Sequence, residues 1–339
     1  MSSRSFSLYK VRVSSFAKFL SFVVFTLLYV YFTYNAMPEK KTAVVRNKNI
    51  TWKIIKGFET RGIDLYAMEE EMASRRELLS STCQKFRIQN QNPKVWEYII
   101  DAHHSLVWCK VHKAASDTWV HYFNILGGYN EGFLRKSKKS PMTLLRAKFP
   151  TPTLFQLQSA LRNSLSFIIV RDPLERLLST YLSLIEPKNE KYYSKLKRRI
   201  KNMPFAESGT NTPPTFMEFV KYVLDNKEDE YWGTTNQFCT PCMINFTVIV
   251  KFLPILQLET LLDDQEYILK RAGLEDILNP TKVRIHYLVH EKGRTRNLLP
   301  HYYQQLNFDL LYDLANMYQV DYDMFGYNIT KYFMYLTLE

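Results

Sequence analysis

Two short stretches of this chain carry residues that could hold phosphate. In the first, Ser105–Gly128, a stretch of strand character from Leu106 to Val111 leads into Lys113, Ala114 and Ala115, followed by Ser116, Asp117 and Thr118. Trp119, Tyr122, Phe123 and Leu126 then recur at helical spacing until Gly127-Gly128 stops them. The pattern is strand, loop, helix. Ser116, Asp117 and Thr118 supply helix-cap chemistry, and Lys113 sits in the loop. Backbone N–H groups and the positive end of a helix dipole attract an anion there, and a lysine neutralises it. No GxxxxGK[ST] loop is present, so an ATPase or kinase is unsupported. Taken alone, a surface lysine in an ordinary loop explains the stretch equally well.

The second stretch, Ser166–Leu182, repeats the design. Phe167 to Val170 form an apolar run ending on Arg171. Asp172 suits an N-cap, Pro173 the first helical position and Glu175 the third. Leu174, Leu177, Leu178 and Tyr181 make the buried stripe, and Ser179 lies two turns in. Ligands of open α/β sheets bind at the carboxyl ends of strands, which is where Arg171 falls. A structural arginine paired with Asp172 or Glu175 is the competing reading. Two such units together suit a ligand with phosphates at two places, such as a nucleotide phosphorylated at both ends of its ribose.

The elements around these stretches set the compartment. The chain has 339 residues, 46% of them hydrophobic, and a formal net charge of +12. The charge favours an anionic partner: nucleic acid, acidic membrane, acidic polysaccharide or nucleotide. Phe19–Pro38 contains no charged residue and is long enough, at about 20 residues, to span a bilayer. Arg4, Lys10, Arg12 and Lys18 precede it without an acidic residue, so residues 1–18 read as a cytosolic tail and 19–38 as a signal anchor. A cleaved signal peptide is the rival, although its apolar core is usually shorter. The rest then lies in the lumen: a stem over 39–74 and a folded domain over 75–339. Asn49, Asn245 and Asn328 stand in N-x-T sequons, as lumenal glycosylation requires. The tail accounts for only four of the twelve surplus charges, so the folded domain is itself basic.

Further along, Asp64–Leu79 has helical spacing and residues 136–163 are basic and helix-prone. Lys188–Lys201 carries seven basic residues against Glu190, readable as a solvated face or as a groove wall for an acidic polymer. Helices are expected at Phe216–Leu224, Gln257–Arg271 and Asn307–Gln319, and a strand at Phe246–Leu253. Cys83, Cys109, Cys239 and Cys242 allow three disulfide connectivities. Cys239-Thr240-Pro241-Cys242 without a second pair is poor zinc spacing, and no metal-ligand cluster stands out.

Together these stretches resemble the membrane-bound Golgi carbohydrate sulfotransferases, the group containing the chondroitin 4-O- and HNK-1 sulfotransferases. Cys109 to Trp119, CKVHKAASDTW, resembles that family's 5′-phosphosulfate loop, C-x-V-P-K-x-A-x-T-x-W. Arg171 to Tyr181, RDPLERLLSTY, resembles its 3′-phosphate motif, R-[DE]-P-F-E-R-L-x-S-A-Y. Arg75-Arg76 with Cys83, Thr215–Phe219, Cys239–Cys242, Lys251, Glu259–Leu261 and Phe325–Tyr327 extend the match over about residues 75–327.

The resemblance implies a P-loop-NTPase-like α/β fold, a parallel sheet flanked by helices. It implies 3′-phosphoadenosine-5′-phosphosulfate (PAPS) as donor, no metal, and a glycan acceptor, foremost an anionic one such as chondroitin, with no role for nucleic acid. Lys113 is then the catalytic cation, in a donor-binding set of Lys113, Ala114, Ala115, Ser116, Asp117, Thr118, Arg171 and Ser179. The resemblance also places the protein in the Golgi membrane as a single-pass type II protein.

Three substitutions break the family pattern in these motifs: His112 for a proline, Asp117 for a hydroxyl residue and Leu174 for an aromatic. Tyr231-Trp232 also stands where the family carries His-Trp. The base that receives the acceptor's proton is open among His112, His104, Glu218 and Glu228. A non-catalytic binding protein keeping the fold is the rival reading. A second is a glycosyltransferase using Asp321-Tyr322-Asp323 as a metal motif, although those residues read better as structural.

Overall fold

A computed structural model describes residues 63–88, 92–187, 193–206, 212–244, 246–252, 258–278 and 295–336. They belong to one compact unit, Arg61–Glu339. The expected anchor at 19–38 and the sequons at Asn49 and Asn245 lie outside the described residues. Among the described residues, no helix is long and apolar enough to cross a membrane.

In chain order the elements are α1 (Leu65–Lys85), β1 (Tyr98–Asp101), β2 (Leu106–Cys109), α2 (Ser116–Leu126), α3 (Glu131–Lys136), α4 (Pro141–Lys148) and α5 (Leu154–Asn163). Then come β3 (Leu165–Arg171), α6 (Pro173–Thr180), α7 (Ser194–Lys201), α8 (Phe216–Asp225), α9 (Thr235–Cys239) and β4 (Val248–Phe252). The last are α10 (Leu258–Ala272), α11 (Leu299–Tyr303), α12 (Phe308–Phe325) and α13 (Thr330–Phe333). A wider π turn, Tyr181–Ile185, extends α6.

The sheet order is β1-β2-β3-β4. β2, β3 and β4 are parallel, with Cys109 opposite Ile168 and Arg171 opposite Phe252. The expected all-parallel sheet is corrected at one edge, where β1 runs antiparallel to β2. The turn at 102–105 joins these two strands directly, and so short a link permits only the antiparallel pairing.

β3 is buried along almost its whole length because helices cover both faces, which is why it reads as an unbroken apolar run. One core is built on the sheet: Trp108 stacks on Phe123 and Phe167, with ring centroids 5.5 and 6.3 Å away. A second core joins α6, α8 and α12 through Leu177, Phe219, Val223, Leu314 and Tyr318. α1 starts at Asp64, whose carboxylate caps Tyr66 and Ala67. It runs to Lys85, past the expected Leu79, and Met72 and Arg75 are buried on its inner side. α12 likewise continues to Phe325, where Gly326 at φ +62° ends it.

Of the three connectivities, the cysteines adopt Cys83–Cys242 and Cys109–Cys239. The second ties the end of β2, just before the Lys113 loop, to α9.

Candidate active site

The parallel strands β2 and β3 end side by side, and each feeds a turn into a helix. The turn after β2 is made of Lys110–Ala115. Lys113 and Ala115 both have positive φ, +61° and +55°. Alternating handedness of this kind turns successive N–H groups to one side and makes an anion-binding concavity. Ala115 is the N-cap of α2 and offers no capping side chain. The expected capping by Ser116, Asp117 and Thr118 is therefore corrected: these three are the first helical residues. Among the described residues, the N–H groups of Ala115, Ser116, Asp117 and Thr118 donate to no protein acceptor. The helix dipole points at the same place. Ala114, Ser116 and Thr118 are buried, Lys113 is half-buried and Asp117 is exposed. Asp117 lies in the first turn of α2, where a negative charge favours the helix dipole.

The turn after β3 is held more tightly. Asp172 Oδ1 accepts the N–H groups of Leu174 (3.0 Å) and Glu175 (3.2 Å). It also accepts the hydroxyls of Tyr322 (2.9 Å) and Tyr332 (2.7 Å), and Lys331 Nζ lies 2.9 Å from Oδ2. Burial, reinforced by Asp172, pushes both phenols well above their usual range, so they act as donors. Arg171 is 5% exposed. Its Nε lies 3.8 Å from Glu175 Oε2 on α6, and Ser179 is one turn further along, buried on the same face. The guanidinium reaches the other turn as well: Arg171 Nη1 donates to the carbonyl of Lys113 at 3.2 Å. The two stretches singled out in the sequence thus meet through one hydrogen bond.

A family model described as the sulfotransferase family matches residues 96–328, which take in both turns. The chain belongs to the sulfotransferase family. It is 24% identical to carbohydrate sulfotransferase 11 of Rattus norvegicus over 280 residues, 76% of each chain. It is 27% identical to carbohydrate sulfotransferase 14 of Danio rerio over 236 residues, 68% of this chain and 61% of that one. With carbohydrate sulfotransferase 9 of Homo sapiens the identity is 26% over 277 residues, 76% of this chain and 60% of that one. No solved structure matches the chain.

Beside the Lys113 loop the sulfotransferase assembles a group that its sequence did not announce. Lys110 Nζ lies 3.1 Å from Glu97 Oε2 and 2.6 Å from His112 Nε2, and Glu230 Oε2 lies 3.7 Å from the same His112 nitrogen. His112, 3.7 Å away, and the Lys110 ammonium beside it hold the Glu230 carboxyl below its usual range. Glu97, His112 and Glu230 are spaced as a metal site could be. The Lys110 ammonium already stands among them as the cation. Lys110 and His112 are visible in the loop, but Glu97 and Glu230 arrive from distant segments, so spacing held no signal for them.

The other candidate bases separate cleanly. His104 sits in the turn before β2, bonded to Asp101 at 2.6 Å, at the opposite end of that strand from the loop. Glu218 is committed to the Thr215 capping box and to Lys201 at 3.1 Å. Glu228 is exposed. Asp321 and Asp323 are structural: Asp321 is buried and accepts the Thr235 and Asn236 N–H groups, and Asp323 pairs with Lys85 at 2.6 Å. Two larger clefts, 540 and 830 Å³, open near the amino ends of β3 and β4 and contain none of the loop residues.

Proposed function

We propose that this sulfotransferase moves the sulfuryl group of PAPS to a hydroxyl of a glycan, and that its preferred acceptor is an anionic polysaccharide of the glycosaminoglycan type. The observation that carries the reading is the Arg171–Lys113 hydrogen bond at the carboxyl edge of two parallel strands. It brings the two cationic turns side by side, as two phosphates of one nucleotide would require. In this reading the uncapped N–H groups of Ala115 to Thr118 and the Lys113 ammonium take the 5′-phosphosulfate, with Ala114 packed beneath, while Arg171 and Ser179 take the 3′-phosphate. Asp117 is exposed beside the Lys113 turn. Among the described residues, the Lys113 ammonium has no ion pair, so it remains available to stabilise the charge that builds on the departing phosphate.

The acceptor side is supported by α7. Lys195, Arg198 and Arg199 are exposed and have no ion pair among the described residues, and α7 contains no acidic residue. Tyr193, just before α7, lies 6.0 Å from the Tyr231 ring, which in turn lies 4.9 Å from His112. An aromatic path therefore links this basic face to the loop. The names of the relatives, carbohydrate sulfotransferases 9, 11 and 14, favour a sugar acceptor. Golgi residence, the type II anchor at 19–38, the stem and glycosylation at Asn49, Asn245 and Asn328 complete the proposal. Asn328 is exposed, as a glycosylated asparagine must be.

The test is transfer of labelled sulfate from PAPS to a panel of desulfated glycosaminoglycans and neutral glycans. Lys113→Ala and Arg171→Ala each abolish transfer. Rates like the wild type's in both variants overturn the assignment. Donor binding without transfer to any acceptor supports the non-catalytic alternative.

A further inference from the structure

The corner that follows α2 carries charge that the Lys113 loop does not use. From 132 to 148 the chain holds Arg135, Lys136, Lys138, Lys139, Arg146 and Lys148 and no acidic residue. All but Arg146 are exposed, and none of those five has an ion pair among the described residues. Arg146 serves the fold instead. It donates to the carbonyls of Trp96 and of Tyr98, the latter at 2.9 Å, and so fastens α4 to the β1 edge of the sheet.

The cations are displayed from an ordered frame. Asn130 Oδ1 accepts the Phe133 N–H at 2.8 Å to start α3, and Ser140 Oγ accepts the Thr143 N–H at 3.1 Å to start α4. Between the two helices, Ser137 Oγ accepts the Lys139 N–H at 3.1 Å. Asn124 on α2 donates to the carbonyl of Pro141 at 3.0 Å and ties α4 to the end of α2. Tyr129 and Phe133 stack with centroids 5.2 Å apart and planes at 10°, and Lys148 Nζ lies 5.2 Å from the Tyr129 ring. Aromatic faces bordered by cations suit a polymer that alternates carboxylates with the C–H faces of sugar rings. Phe133 is the one exposed large apolar side chain over residues 129–148, too little to insert into a bilayer.

This corner and α7 flank the Lys113 loop in sheet order. α4 is bonded to the β1 edge, whereas Ile200 of α7 packs in the core that contains α6, the helix after β3. β2, whose turn is the Lys113 loop, comes between β1 and β3. The 11 residues of α2 separate the loop from α3 by about 16 Å. We propose that the α3–α4 corner is a second docking face for the anionic polysaccharide acceptor, so that a chain long enough to cross the Lys113 loop is held on both sides of it, by this corner and by α7. This rests on the glycan sulfotransfer proposed above.

In the experiment Arg135, Lys136, Lys138 and Lys139 are changed together to serine, and acceptor kinetics are measured with polymeric desulfated chondroitin and with its tetrasaccharide. The KM for the polymer rises about tenfold, as loss of several exposed charge contacts requires, and its salt dependence flattens. The tetrasaccharide occupies the loop alone, so its KM, and kcat with either acceptor, stay within about twofold of wild type. Binding of adenosine 3′,5′-bisphosphate confirms an intact loop; if the fourfold variant loses it, Lys138→Ser with Lys139→Ser carries the same comparisons. An unchanged KM for the polymer, or an equal rise for the tetrasaccharide, overturns the inference. Calorimetric binding of the polymer is read without donor: a loss of about tenfold in the variant supports the face, and no loss overturns it. Binding of phosphatidylserine vesicles or duplex DNA that the variant loses while it keeps the polymer gives the face to another partner and overturns the inference. No wild-type transfer to any glycan overturns the proposed function, and the calorimetric comparison still decides this face.

Discussion

Replacing Arg171 by lysine separates charge from geometry in the proposed donor site. The guanidinium is 5% exposed, held 3.8 Å from Glu175 and bonded to the Lys113 carbonyl at 3.2 Å. Lysine keeps the charge but replaces the planar fork, which grips a phosphate through two parallel N–H bonds, with a point charge. Losing one charge-assisted hydrogen bond to the 3′-phosphate costs about 2 kcal/mol, from the usual range for bonds to charged groups. That is roughly a 30-fold weaker dissociation constant, at about 1.4 kcal/mol per tenfold. The assay is calorimetric titration of adenosine 3′,5′-bisphosphate and of adenosine 5′-phosphate into both proteins. The bisphosphate loses about 30-fold in Arg171→Lys, and the monophosphate, which lacks the 3′ group, changes by less than about threefold. Equal losses for the two ligands would refute the assignment of Arg171 to the 3′-phosphate and leave it as a brace for the Lys113 loop. Retention of both affinities would refute both roles.

Three further outcomes follow from the geometry. Asp172→Ala leaves the Tyr322 and Tyr332 hydroxyls and two backbone N–H groups without their acceptor. It lowers unfolding free energy by about 3–5 kcal/mol, and a loss below about 1 kcal/mol in urea melts contradicts the hub. Burial pushes the Asp264 carboxyl up to about 6 despite Arg75 at 2.7 Å. An unfolded aspartate titrates near 3.9, so the folded state holds this proton more tightly and its contribution to stability falls as pH rises from about 4 to 6. The stability of wild type relative to Asp264→Asn therefore increases as pH drops through that window, read from urea midpoints; a flat difference contradicts it. Changing Lys195, Arg198 and Arg199 together to serine raises KM for desulfated chondroitin about tenfold or more and flattens its salt dependence, because exposed cations act through screened charge. A neutral oligosaccharide acceptor is unaffected, and equal effects on both acceptors remove α7 from the acceptor site.

Most of the elements that carry the proposed site were readable in advance because they are local. An apolar run followed by Asp172-Pro173 dictates strand, turn and capped helix within a dozen residues, and the structure places β3 and α6 there. The same holds for β2 and α2, although the cap fell on Ala115, since the choice among neighbouring capping residues depends on the backbone path and on positive φ at two non-glycine positions. The antiparallel edge strand β1 was missed because its four residues are too few to show a period. The longer reach of α1 and α12 was missed because their last turns are stabilised by contacts with distant segments, Lys85 with Asp323 among them.

Composition, the two stretches proposed to hold phosphate and the spacing of Lys113 and Arg171 were determined by the sequence alone, because each depends on residues within one turn or strand. Three relations were decided only by the tertiary structure: the hydrogen bond from Arg171 to the Lys113 carbonyl, the clasp of Tyr322, Lys331 and Tyr332 on Asp172, and the meeting of Lys110, Glu97, His112 and Glu230. Each joins residues tens to more than a hundred positions apart. Hydrogen-bonding capacity is encoded in residue type, but the partner that satisfies it is chosen by chain packing. A buried carboxylate announces in sequence only that it needs donors, and the fold determines which ones arrive.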